Sequence, residues 1–142
     1  MEILIVDDGS KDETAAIADR YEQEYPSIVK AIHKENGGLI SAWKRGAAES
    51  SGEYLCFVDS DDWLEPDMYK FLIDNILQHD ADIAVCGHYS DFTDRSVCKH
   101  TDNSVKVLDY DTVHRRIIRD NIQSYIWQMV FRSSSMRAWA CR

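Results

Sequence analysis

The chain has 142 residues, with 25 acidic against 16 basic and a formal charge of −9, a balance that opposes nucleic-acid binding. Hydrophobic residues make up 44% and aromatics 11%, enough for a core in a chain of one-domain length, which excludes the disordered class. No apolar run approaches the roughly 20 residues that cross a bilayer. No basic-then-apolar leader opens the sequence. A cytoplasmic chain is expected, with peripheral membrane association left open. Cys56, Cys86, Cys98 and Cys141 lack CxxC spacing and read as reduced thiols rather than as a disulfide framework or a zinc site. The histidines are scattered, without a metal-binding pair.

Taken in chain order, short apolar runs alternate with amphipathic stretches, which predicts an α/β domain. Residues 2–6 form an apolar strand and Gly9 a turn. Ser10 to Glu13 fits a capping box. The helix that follows is expected to bury Thr14, Ile17, Tyr21 and Tyr25 and to stop at Pro26. Residues 28–33 form a second strand, Asn36-Gly37-Gly38 a turn, and residues 39–50 a second helix ended by Gly52. The third strand, 54–58, runs into Asp59-Ser60-Asp61-Asp62. A helix started by Pro66 carries Met68, Phe71, Leu72 and Ile76 on one face. Residues 82–86 form a fourth strand. After Gly87 a polar β-ribbon covers 88–108, with Val105, Val107 and Leu108 in its return arm. A helix spans roughly Tyr110 to Asp120, and Tyr125 to Phe131 is apolar without a clear period. The division is residues 1–87 as an α/β part and 88–142 as the start of a second part.

In a mostly parallel sheet, ligands bind beyond the carboxyl ends of the strands. Three strand ends carry polar chemistry there: Asp7 and Asp8, then Asn36 with its glycines, then Asp59, Asp61 and Asp62. In extended backbone Asp59 and Asp61 would point together. Two carboxylates so placed suit Mn²⁺ or Mg²⁺, which complete their shells with water and substrate phosphates. Such an ion would let an acidic domain hold a diphosphate.

Val6-Asp7-Asp8-Gly9-Ser10, Glu35-Asn36-Gly37-Gly38-Leu39, and Gly52-Glu53-Tyr54 leading into Val58-Asp59-Ser60-Asp61-Asp62-Trp63 together resemble the family 2 glycosyltransferases of the GT-A fold. The resemblance covers Glu2 to about His88. It implies a Rossmann-like nucleotide-diphospho-sugar transferase fold. It also implies sugar transfer from a nucleoside-diphosphate sugar, UDP-sugar first among them, to a hydroxyl acceptor, and inversion at the anomeric carbon as in most members. By the same resemblance Asp7 or Asp8 would contact the base, Asp59 the ribose and Asp61 the metal, with Asp59 as second ligand. Asn36, Gly37 and Ser60 would line the donor site. Lys44, with Arg45 as fallback, would approach the diphosphate. Polysaccharide assembly is the setting implied, the acceptor itself being unassigned. Trp43, Trp63 and Trp127 read as core or interface residues rather than sugar platforms.

A response-regulator receiver domain shares the opening Ile-Leu-Ile-Val-Asp-Asp, but it needs a Lys-Pro pair after its fifth strand. Both prolines stand elsewhere, at 26 and 66. A calcium loop fails because Trp63 and Leu64 occupy its fifth and sixth positions. Relative to the resembled family, the strand and helix that usually come first are missing. Two unpaired strand edges are therefore expected, with self-association or strand exchange as their outlet. Residues 125–132 resemble the segment that precedes the general base, yet no acidic residue follows, so no base is assigned. Residues 133–142 are not expected to be native-like. Weak or absent turnover is expected of this sequence alone, and a catalytically inactive nucleotide-sugar-binding fragment is the alternative reading.

Overall fold

The computed structural model describes residues 1–99, 104–118 and 125–140. The chain is α/β and divides into two compact units, residues 1–55 with 131–142, and residues 56–130. The boundary expected near residue 87 falls inside the second unit.

The first unit opens with strand β1 (Ile3–Asp7), helix α1 (Thr14–Glu24) and strand β2 (Val29–His33). The strands pair in parallel from Ile3 against Val29 to Asp7 against His33, as a β-helix-β crossover requires. The stripe expected to be buried on α1 is exposed. Ile17, Tyr21 and Tyr25 are 44–46% exposed, and the two tyrosines stack with ring centroids 6.5 Å apart. Ala18 is buried in their place. On the same face Glu22 accepts a hydrogen bond from the Ala31 amide of β2 at 3.3 Å. A small residue and one polar anchor therefore set the rotation of this helix, where the bulk of the aromatic stripe does not.

The capping box is also replaced. Ser10 donates its amide to Asp7 Oδ1 at 2.9 Å, and the helix starts four residues later, at Thr14. The Thr14 amide is held by Asp12 Oδ1 at 3.0 Å, an Asx-type bond made just ahead of the first turn.

Helix α2 (Leu39–Glu49) packs against β1. Ala47 is fully buried. A Cβ at Gly46 would lie 3.4 Å from Val6 Cγ2, so the glycine lets helix and strand approach closely. Helix α5 (Ser133–Ala140) packs on α2. Its first residue is buried, with its amide bonded to Glu53 O at 2.9 Å and its hydroxyl to Gly52 O at 2.6 Å. Two main-chain acceptors far away in sequence fix the start of this helix.

Three short strands, β3 (Tyr54–Cys56), β4 (Ile83–Val85) and β7 (Met129–Arg132), have the order β3–β7–β4. The aperiodic segment 125–131 thus resolves into a 3₁₀ turn, Ile126–Gln128, followed by a central strand.

In the second unit, helix α3 (Met68–His79) buries Leu72 and Ile76 as its period predicts, while Phe71 stays half exposed. The helix closes on Asp80 in the left-handed region at φ 49°. The ribbon is a hairpin of β5 (His88–Asp91) and β6 (Ser96–Lys99), antiparallel from His88 against Lys99. Its turn is closed by the Phe92 amide on Arg95 O at 2.8 Å, so the return arm comes at 96–99. Val105, Val107 and Leu108 lie outside any strand. Helix α4 (Tyr110–Ile118) matches the expected helix, whose last two residues fall outside the described ones. Among the described residues of this unit, Phe57, Leu72, Ile76, Gln128 and Val130 are buried. Among the described residues no helix is long and apolar enough to cross a membrane.

Ile76 has no exposed surface. Ile76→Ala is therefore expected to lower unfolding free energy by about 2–5 kcal/mol, and Phe71→Ala, at a half-exposed position, by clearly less. Urea denaturation followed by circular dichroism checks this; equal losses would contradict the assigned core.

Candidate functional site: two acidic turns and an aromatic cavity

The end of β1 is organised by its own carboxylates. Asp7 is 6% exposed and accepts from the Ser10 amide through Oδ1, while its Oδ2 lies 3.1 Å from His33 Nδ1. Bonds from the Ser10 hydroxyl and amide, then from His33, hold its carboxyl down to about 2. The other nitrogen of His33, Nε2, reaches Asp19 Oδ1 at 2.8 Å. Asp19 first and Asp7 second raise the pKa of the imidazole.

Asp8 turns to the loop after β2. It accepts from the Gly37 amide at 3.0 and 3.2 Å and from the Gly38 amide at 2.7 Å, and it pairs with the Lys34 ammonium. Lys34 also donates to Glu35 O at 2.6 Å. The ammonium, followed by the two amides, keeps the Asp8 carboxyl below its ordinary range despite partial burial. Glycine is required twice in this arrangement. Gly9 sits at φ +77°, and a Cβ there would meet the Asn36 amide nitrogen at 2.9 Å; Gly38 sits at φ +82°. The Gly38 carbonyl accepts from Ser41 and Ala42 at 2.9 and 3.1 Å, which starts α2.

Asn36 is exposed on this loop and Lys44 half buried on α2. Arg45 pairs with Glu49 at 2.9 Å, and Glu49 also holds Lys30. The guanidinium offered by the sequence as a diphosphate contact is thus engaged with a carboxylate one helical turn away. Lys34, which the motif reading passed over, is the cation that neutralises Asp8. Its signal was available: a lysine directly before Glu35-Asn36-Gly37, opposite two adjacent aspartates.

In the second unit the backbone at Asp59–Asp62 is not extended. The Asp62 amide donates to Asp59 O at 3.1 Å, closing a turn with Ser60 and Asp61 at its centre. The strand alternation that would have aligned Asp59 with Asp61 therefore does not apply. The turn nevertheless keeps the carboxylates within each other's field. Burial first, then the charges of Asp62 and Asp61, push the Asp59 carboxyl above its usual value. Ionising Asp59 is opposed here, and a cation at the turn would relieve that opposition. Among the described residues no three metal-binding side chains form a cluster. The donor set fits a hard divalent ion that takes its remaining ligands from a diphosphate and water.

Beside this turn lies a cavity of about 400 Å³. Asp62 belongs to both the turn and the cavity wall, and Trp63, which follows it in sequence, also lines the cavity. Trp63, read from sequence as a core or interface residue, is 58% exposed. It stacks on Tyr89 with centroids 6.3 Å apart and planes at 13°, and its indole Nε1 donates to Asp91 Oδ2 at 2.8 Å. Burial raises the Cys56 and Cys86 thiols, which disfavours the reactive thiolate.

The description "Glycosyl transferase family 2" matches residues 1–139. EpsH of Bacillus subtilis (strain 168) is 29% identical over 140 residues, 97% of this chain and 40% of its own length. The uncharacterized glycosyltransferase YibD of Escherichia coli (strain K12) is 41% identical over 86 residues, 61% of this chain and 25% of its own. The glycosyltransferase GlyA of Streptococcus pneumoniae serotype 4 is 41% identical over 90 residues, 63% and 13% respectively. The chain belongs to glycosyl transferase family 2 and spans 13–40% of the length of these relatives.

The Asp7–His33–Asp19 chain gives a pH signature. Protonated His33 donates to both carboxylates, while neutral imidazole has one N–H to give. Because its folded pKa is raised above about 6.5, its stabilisation is complete below that value and is lost as pH rises through the folded pKa. Asp7, held near 2, acts in the opposite sense: its contribution is present above about 4 and is lost as pH falls toward 2. The gap in Tm between wild type and His33→Gln should therefore be larger at pH 6 than at pH 9. A gap independent of pH would show that the pairing does not operate.

Proposed function

We propose that this domain binds a nucleoside-diphosphate sugar, UDP-sugar first, together with Mn²⁺ or Mg²⁺, as the donor-binding part of an inverting glycosyltransferase. The observation that carries the reading is the Asp59–Asp62 turn, closed by the Asp62 amide on Asp59 O, where burial and then the charges of Asp62 and Asp61 oppose ionisation of Asp59, within the motif that carries the family likeness.

On this reading Asp61 and Asp59 hold the cation, which when bound stabilises negative charge on the departing nucleoside diphosphate. The remaining work belongs to the chain's own groups. Ser60, at the centre of the same turn, lines the donor site. Asp59 reaches the ribose from its partly buried position. Asp7 or Asp8 contacts the base; each carboxylate has lone pairs beyond those already used. Asp8 at the same time orders the Asn36-Gly37-Gly38 loop. The Gly37 and Gly38 amides are already committed to Asp8, so diphosphate binding falls to the cation and to Lys44 rather than to those two amides.

In the transfer itself, the acceptor oxygen forms a bond to the anomeric carbon from the side opposite the leaving group. The bond to the diphosphate oxygen breaks with its electron pair, and the hydroxyl proton passes to a base that no residue of this chain is assigned to be. The acceptor is a hydroxyl compound. One relative is named a cholesterol galactosyltransferase and another a minor teichoic acid biosynthesis protein, so acceptor chemistry varies among the proteins this chain resembles. A cytoplasmic setting, in keeping with thiol cysteines, and a role in polysaccharide assembly are part of the proposal.

Calorimetric titration with UDP, with and without Mn²⁺, tests it. Binding should require Mn²⁺ and fall at least about tenfold in Asp61→Ala, as loss of a metal-site group does. UDP binding that is indifferent to Mn²⁺, or undiminished in Asp61→Ala, would overturn the metal-dependent donor site.

A further inference from the structure

The cavity next to the Asp59–Asp62 turn has a wall chemistry that a nucleotide does not need. We infer that it is the acceptor subsite and that it takes a neutral sugar ring, laid against the Trp63–Tyr89 plate. The inference rests on the donor reading above, because the shared residue Asp62 is what places this cavity beside the turn.

Three features of the wall select the occupant. The first is the plate. Trp63 is fixed on one side by its hydrogen bond to Asp91 and in its plane by Tyr89, so a large aromatic surface stands exposed in one orientation. A sugar ring carries C–H groups on one face and hydroxyls around its edge, which is the shape such a plate accepts; a rigid aromatic gives contact area at small entropic cost.

The second is the polar pair at the back. His88 Nδ1 lies 3.2 Å from Oε1 of Gln128, which is 1% exposed, and the imidazole is further held edge-on by Trp127 at 5.1 Å and Tyr125 at 5.8 Å. This end of the wall is therefore polar as well as aromatic.

The third is charge. Asp62, Glu65 and Asp67 all line the cavity. Carboxylates accept hydrogen bonds from sugar hydroxyls and repel phosphate- or carboxylate-bearing rings. A cavity of about 400 Å³ falls in the range of small-molecule sites, about 300–1,000 Å³.

Saturation-transfer NMR on this chain, with the methyl glycosides of glucose, galactose, N-acetylglucosamine and glucuronic acid plus decanol as probes, tests the assignment. At least one neutral glycoside should receive saturation, and the glucuronide and decanol should not. Trp63→Ala should weaken the neutral glycoside about 2- to 10-fold, the range of one aromatic contact, while Trp63→Phe, which keeps a ring, should retain most of the binding. UDP with Mn²⁺ is titrated into the same samples. Intact UDP binding in Trp63→Ala shows that the variant is folded. If UDP binds and no neutral glycoside does, or if the glucuronide or decanol binds in preference, the subsite assignment is overturned while the donor reading stands. Glycoside binding that depends on Trp63 without any UDP binding would overturn the donor reading and leave a sugar site.

Discussion

One carboxylate organises the first unit. Asp8 collects two consecutive glycine amides and one lysine ammonium from the loop after β2, and so ties the end of one strand to the end of its parallel neighbour. A carboxylate that accepts several N–H bonds holds its charge firmly. Because Gly38 also starts α2 through its carbonyl, the same set of bonds fixes where that helix begins. Its neighbour Asp7 makes the corresponding connection to Ser10, His33 and, through His33, Asp19. Adjacent aspartates thus point to different partners, and the strand ends become a rigid rim rather than a pair of free turns.

The second unit carries the opposite condition. At Asp59–Asp62, burial first and then the neighbouring charges of Asp62 and Asp61 raise the cost of charging Asp59. Next to it, the fixed indole of Trp63 and the buried Gln128–His88 pair form a wall with both apolar and hydrogen-bonding character. Carboxylates bonded to amides, a lysine and a histidine build the rim of the first unit.

Much of the architecture was legible in the sequence. The alternation of apolar runs and amphipathic stretches placed β1, β2, α2 and α3 within a residue or two, because local periodicity and turn glycines decide those elements. The motif order Asp7-Asp8-Gly9, Asn36-Gly37-Gly38, Asp59-Ser60-Asp61 pointed to the family that residues 1–139 match. What failed was whatever depended on a distant partner or on competition between local partners. Ser10 was read as a helix cap, yet the Asp7 carboxylate takes its amide. The Ile17, Tyr21, Tyr25 stripe was read as core, yet Ala18 and the Glu22–Ala31 bond turn the helix the other way. Strand β7 and the anchoring of Ser133 depend on residues more than 40 positions away, which no local pattern can reveal. Trp63 reads from sequence as a core or interface residue, and its exposure and its bond to Asp91 exclude the core alternative.

The central claim is that Asp8 preorganises the Asn36–Gly38 loop in the free protein. Amide hydrogen exchange on the wild type and on Asp8→Ala tests it most directly. The account predicts that the Gly37 and Gly38 amides are protected in the wild type and exchange at least about tenfold faster in the variant, the loss of roughly one charge-assisted bond each, while the amides of β1 and β2 keep their protection. Gly37 and Gly38 amides that exchange as freely in the wild type as in Asp8→Ala would contradict it.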